Sequence, residues 1–157
     1  MTNVNTAQAT TTHLYTAHAS VAGGRNGHGR TDDGRLDVTL SRPGAMGGEG
    51  AGTNPEQLFA VGYGACFEGA LTLVARRQRV QLGETHIDSA VELHSVDDGT
   101  FRIEVALDVS MAGVDNDELA VALVREAHQV CPYSNALRGN VDVALTANGV
   151  WVAGPRD

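Results

Sequence analysis

Residues 53–73 read Thr-Asn-Pro-Glu-Gln-Leu-Phe-Ala-Val-Gly-Tyr-Gly-Ala-Cys-Phe-Glu-Gly-Ala-Leu-Thr-Leu, and the rest of the chain is arranged around them. The stretch opens with a helix start. Thr53 or Asn54 can cap it, and Pro55 suits the first turn because its missing N–H costs nothing there. Glu56 lies three residues after Thr53 and Gln57 three after Asn54, so either cap has a capping-box partner. The helix is expected to run from about Pro55 to Arg79, with Arg76, Arg77 and Arg79 complementing the dipole at its end. Leu58, Gly62, Ala65, Cys66, Gly69 and Leu73 recur at spacings of three and four, which places them near one face. Each glycine costs about 1 kcal/mol relative to alanine in a helix interior. The expectation is that they let another backbone come close to Cys66.

Ahead of this helix, His13–Val21 alternates as a strand, Gly23–Gly27 reads as a turn with Asn-Gly as its hairpin signal, and Asp32-Asp33-Gly34 reads as another. Arg35–Ser41 alternates strictly, and the glycine-rich Pro43–Gly52 is a loop. After the helix, Thr85–His94 and Phe101–Met111 read as a hairpin about Asp97-Asp98-Gly99, with Phe101, Ile103, Val105, Leu107 and Val109 on one face. Asp115 is placed as the cap of a second helix, with Glu118 at the capping-box position. Leu119, Leu123, Ala127 and Cys131 form its buried stripe, and Pro132 stops it. Tyr133–Gly139 reads as a polar connector, Asn140–Leu145 as a strand and Gly149–Val152 as a short one. Strands in antiparallel runs beside two helices give an α+β class. One domain is expected over residues 13–157, with residues 1–12 a poorly ordered polar tail.

With 11 Lys and Arg against 19 Asp and Glu, the net charge is −8, and no basic cluster is present. This argues against nucleic acid and anionic membrane as partners. No apolar run is expected to approach the ~20 residues that span a bilayer, and the N-terminus has no secretory pattern. A cytoplasmic location is therefore expected, where two cysteines are free or redox-active rather than a structural staple.

Cys66 and Cys131 stand 65 residues apart, and the six histidines are scattered, so no zinc-ligand spacing surrounds them. By composition alone each thiol reads as a small buried hydrophobe. The longer motifs say more. Residues 52–67, from Gly52 to Phe67, closely resemble the signature of the organic hydroperoxide resistance (Ohr) proteins within the Ohr/OsmC family. Val130-Cys131-Pro132-Tyr133-Ser134-Asn135-Ala136 with Arg138-Gly139-Asn140 resembles their second motif, and Leu14-Tyr15-Thr16-Ala17 with Gly23-Gly24-Arg25 their N-terminal start. The resemblance covers residues 13–150. Glu68 departs from it, standing where an apolar residue or histidine is expected. It lies ~200° around the helix from Cys66 and is expected to face another surface.

The resemblance implies an OsmC-like fold, with antiparallel sheets around two central helices and an intertwined homodimer. It implies a thiol-dependent peroxidase with no bound cofactor, acting on organic hydroperoxides. Cys66 would be the nucleophile, Cys131 the partner that closes a disulfide, and a dithiol such as lipoamide on a lipoylated protein the reductant. A buried thiol needs a cation to become a thiolate. Sequence order leaves Arg25, Arg30, Arg35 and Arg42 open, and the resemblance points to Arg25, held by Glu56. Glu56 alone reads equally as a capping residue. Phe67, Leu58, Phe59 and Met46 are either an apolar approach for bulky hydroperoxides or core. The alternatives are an OsmC-type peroxidase, or a non-catalytic redox sensor or lipid-binding module.

Overall fold

The computed structural model describes residues 10–155, so most of the expected tail lies outside the described residues. Two compact units are present, divided after Gly52.

In the first unit, β1 (Ala19–Ala22), β2 (His28–Thr31) and β3 (Asp37–Thr39) form an antiparallel sheet in that order. Both turn signals fall where expected. The first joins β1 to β2, pairing Ala22 with His28 across a 3-10 turn at Gly24–Asn26. Gly27 is required there, because a Cβ would lie 1.8 Å from the Ala22 carbonyl oxygen. The second turn joins β2 to β3, with Gly34 at φ 70°. The strand expected over His13–Val21 begins only at Ala19, and β2 was not anticipated. His-Gly-Arg-Thr carries too little apolar alternation to separate it from the turns around it.

The second unit begins with α1 (Pro55–Gln78), followed by β4 (Thr85–Ser95) and β5 (Phe101–Met111). Next come α2 (Asp117–Val130), α3 (Pro132–Leu137), β6 (Val143–Ala147) and β7 (Val150–Ala153). The class is α+β, as expected. The sheet runs β4-β5-β6-β7, and its β4–β5 hairpin keeps register from Thr85↔Met111 to Ser95↔Phe101. It is mixed rather than antiparallel: β5 and β6 are parallel, with Val105 opposite Val143. A parallel pair needs a long crossover, and α2 with α3 supplies it. Alternation along β5 buries Val105, Leu107, Val109 and Met111. Phe101, at the strand's end, is 68% exposed and drops out of the expected apolar face.

α2 is capped by Asn116, not Asp115. The Asn116 Oδ1 accepts the Leu119 N–H at 2.7 Å, leaving Asp117 and Glu118 to complement the dipole. α2 ends at Val130, stopped ahead of Pro132 as expected, but the following residues form a third helix rather than a connector. Cys131 adopts φ −60°, ψ 125° because proline disfavours a helical residue before it, and Pro132 then starts α3 at its first position. The Asn140 and Val141 N–H groups bond the Leu137 carbonyl, which delays β6 by three residues. The β6–β7 hairpin turns at Asn148 (φ 48°) and Gly149 (φ 79°), the Asn-Gly pair favoured for this turn. The Asn148 side chain also takes the Met111 N–H and donates to the Val114 carbonyl, at 2.7 and 2.8 Å.

The core lies between the sheet, α2 and α1. α1 contributes Tyr63, Phe67, Ala70, Leu71 and Val74, and α2 contributes Ala120, Leu123, Val124 and Ala127. Contrary to the bilayer argument above, α1 is long and apolar enough to cross a membrane by length and composition. Its apolar character extends around the helix because one side is core and flanking residues pack on β4, α2 and α3.

Candidate active site

α1 starts where Asn54 caps it: Asn54 Oδ1 accepts the Gln57 N–H at 2.9 Å. Thr53 instead donates from its hydroxyl to the Gln57 side chain. Glu56 occupies the first turn, near the positive end of the helix dipole. It precedes Cys66 by ten residues, about 15 Å along the axis. Arg25 stands on the 3-10 turn of the first unit. Neither Arg25 nor Glu56 is a free side chain.

Cys66 and Cys131 are the pair that the fold brings together. The core stripe of α1 runs through Tyr63, Phe67, Ala70 and Val74, which sets Cys66 at its border, half-buried. Cys131 is fully buried at the break between α2 and α3. Both thiols are free, and the sulfurs lie 3.6 Å apart, with the Cys131 S–H directed at Cys66. Burial pushes the Cys66 thiol above the ordinary range. The Tyr133 backbone N–H opposes this by favouring the thiolate, while the second sulfur adds to the rise.

Around the sulfurs sits an aromatic group that the sequence reading did not assemble. Tyr133 stacks on Phe59, with centroids 5.7 Å apart at 28°, and Tyr63 packs against Phe59, Phe67 and Tyr133. The Tyr63 hydroxyl and Ser134 Oγ are 2.9 Å apart, both residues fully buried. Phe67 is core, whereas Leu58 and Phe59 are half-buried.

The small-residue face has a different use from the one expected. Ala65 and Gly69 are exposed, and Gly69 has open space where a Cβ would be. Gly62 makes room for the Tyr133 ring, not for a backbone: a Cβ there would come within 3.3 Å of the Tyr133 hydroxyl. α1 therefore meets its neighbours through its large residues. Glu68 turns away from the thiols, as expected, and accepts a hydrogen bond from Thr85 at the start of β4.

Among the described residues, one group of metal-ligating type lies elsewhere. Sheet register gathers Glu92, His94 and Glu104 on the outer face of β4 and β5. His94 Nε2 lies 3.1 Å from Glu92 and 3.7 Å from Glu104, which Arg102 also contacts at 3.3 Å. Both carboxylates are exposed, and Glu104 pairs with Arg102.

With both cysteine motifs in contact, likeness to known proteins bears on this chain. The OsmC-like protein family model matches residues 48–146. The chain belongs to the OsmC-like family. It is 53% identical to an organic hydroperoxide resistance protein of Xanthomonas axonopodis pv. citri over 135 residues, covering 85% of this chain and 94% of that protein. Against the organic hydroperoxide resistance protein OhrB of Bacillus subtilis identity is 47%, covering 84% and 96%. A crystal structure of an organic hydroperoxide resistance protein from Vibrio cholerae, with captopril bound in one active site, superposes at TM-score 0.85. Its identity is 47%, covering 89% of this chain and 96% of that one. The crystal structure of the B. subtilis OhrB protein gives TM-score 0.77 at the same identity, covering 85% and 98%.

Proposed function

We propose that the protein is a thiol-dependent peroxidase that reduces organic hydroperoxides to alcohols. The observation that carries this reading is the 3.6 Å contact between Cys66 and Cys131, one half-exposed and one buried. Its membership among relatives named for organic hydroperoxide resistance supports the substrate class. In the proposed cycle, Cys66 is the attacking thiol, because it is the more exposed of the two. The thiolate attacks the distal peroxide oxygen. The O–O bond breaks, and the leaving alkoxide takes a proton to become the alcohol. Cys66 is then a sulfenic acid. The Cys131 sulfur attacks it, the S–O bond breaks, and the departing hydroxide takes a proton to form water. A small dithiol such as lipoamide reduces the resulting disulfide by exchange and leaves as its own disulfide.

Burial raises the Cys66 pKa, so the cycle needs a cation to hold the thiolate. Arg25 is proposed for this role, with Glu56 orienting it, on the strength of the motif Gly23-Gly24-Arg25. Its planar, permanently charged guanidinium could also donate to the peroxide. The apolar sides of Leu58, Phe59 and Tyr133 favour bulky or fatty-acyl groups over hydrogen peroxide. A homodimer in the cytoplasm, reduced by a lipoylated protein, completes the proposal.

The test is steady-state consumption of cumene hydroperoxide with dihydrolipoamide, run beside hydrogen peroxide. Many equivalents consumed per chain, with a strong organic preference, is the expected result. Consumption that stops near one equivalent would return the protein to a sensor or binding role. Equal rates on both peroxides would favour an OsmC-type enzyme.

A further inference from the structure

Cys66 lies on α1 and Cys131 at the cap of α3, and one buried hydrogen bond ties those two helices together beside the sulfurs. Tyr63 stands three residues before Cys66 on α1, and Ser134 three residues after Cys131 on α3. Each hydroxyl is therefore about one helical turn from its cysteine. The two oxygens are 2.9 Å apart, from residues 71 positions apart in sequence, and both side chains are fully buried. The bond runs as a second strut alongside the 3.6 Å sulfur contact.

We propose that the Tyr63–Ser134 hydrogen bond is a positioning clamp that holds Cys131 on Cys66. It deepens the thiol cycle proposed above and rests on Cys131 being the group that closes on Cys66. α3 has six residues, too few to hold a helix by itself in water. Yet what the start of α3 brings to Cys66 is central: the Cys131 sulfur at its cap position, 3.6 Å away. The ring contacts of Tyr133 with Phe59 and Tyr63 fix its distance from α1 but are less directional than a hydrogen bond. The buried hydroxyl pair supplies the direction. Tyr63 is poorly suited to proton transfer, because burial pushes its hydroxyl further above the ordinary tyrosine value. Its part is to orient, so Tyr63 and Ser134 are positioning residues and not catalytic ones.

Removing one hydroxyl leaves the other buried without a partner, which destabilises any protein. Removing both with shape kept can be nearly neutral. The double variant Tyr63→Phe/Ser134→Ala therefore separates positioning from folding. The measurements are thermal unfolding, the rate of Cys66–Cys131 disulfide closure from oxidised glutathione, and the fraction of Cys66 driven to sulfinic acid by excess cumene hydroperoxide. In the glutathione reaction, Cys66 displaces one glutathione thiolate and Cys131 the second, so closure is read without any peroxide step.

The expected result is a double variant that unfolds close to the parent temperature. It closes the disulfide roughly a hundredfold more slowly, the loss a misplacement near 1 Å can cause, and overoxidises at lower peroxide. Each single variant should be less stable than the double variant and close no faster. A double variant that closes and resists overoxidation like the parent would overturn the clamp. Should the double variant unfold early, Tyr63→Phe alone, assayed well below its unfolding temperature, gives the same two readouts, and parental values there would overturn the clamp equally. A parent protein that closes the disulfide with glutathione but not with cumene hydroperoxide would defeat the peroxidase reading while leaving the clamp to be judged by the glutathione rates.

Discussion

Cys66 and Cys131 are held by opposite kinds of structure. Cys66 lies in the middle of a 24-residue helix, its backbone locked by hydrogen bonds on both sides and its side chain at the edge of the core. Cys131 lies at a break, in extended backbone between α2 and α3, with its side chain wholly covered. A reagent from solvent meets the sulfur set in mid-helix before the covered one at the joint. Exposure and backbone setting thus divide the two thiols, and that division suits a nucleophile paired with a resolving partner.

The largest effect expected is from Cys66→Ser, which should reduce hydroperoxide turnover to background. Retained turnover in a peroxide-consumption assay would assign the nucleophile elsewhere and break the comparison. Cys131→Ser should react once to a sulfenic acid that no disulfide relieves, and a second equivalent of hydroperoxide should then take Cys66 to sulfinic acid, a gain of two oxygens by mass. A variant that cycles normally with dihydrolipoamide would remove Cys131 from the cycle.

Next is the rigidity ascribed to α1. Phe67 follows Cys66 and is fully buried, so Phe67→Ala should cost about 3–5 kcal/mol in denaturant unfolding. A loss under about 1 kcal/mol would mean that the helix behind Cys66 is less firmly packed than its burial indicates.

The smallest effect concerns the joint. His128, one turn before Cys131, is held below the ordinary histidine value, first by burial and then by the charge of Arg138, which donates to its carbonyl at 2.9 Å. The unfolded chain therefore takes up a proton that the folded chain resists. This contribution to stability is fully present above about pH 6.5 and is lost as the pH falls through the depressed folded value. His128→Gln should flatten that acid slope in thermal melts taken across pH, and an unchanged slope would place its origin in other groups.

The contrast between the two regions also explains what could be read from the chain. The start of α1 was legible because Asn54, Pro55 and Gln57 act within one turn of each other. The β4–β5 hairpin was legible because strict alternation flanks a short turn. The buried side of α1 was not legible, since apolar residues surround the helix and three- and four-residue spacing fits more than one face. The choice falls on Tyr63, Phe67, Ala70 and Val74, which meet the sheet and α2. α3 escaped notice because its residues are too few to show a helical period, and its start depends on the backbone turn at Cys131. The motifs named both cysteines, but their contact depends on helix packing that neither motif encodes. The Tyr63–Ser134 bond gave no local signal at all.

The parallel pairing of β5 with β6 has a consequence for how the protein matures. Cys66 leaves the ribosome well before Cys131, and Cys131 sits on the crossover that this pairing anchors. Non-local strand pairing is slow because loop closure must precede its reward. The two sulfurs therefore meet only once α1 and this crossover have packed together. Until then the newly made chain carries two isolated thiols, and competence to close the disulfide doubles as a timestamp for that packing.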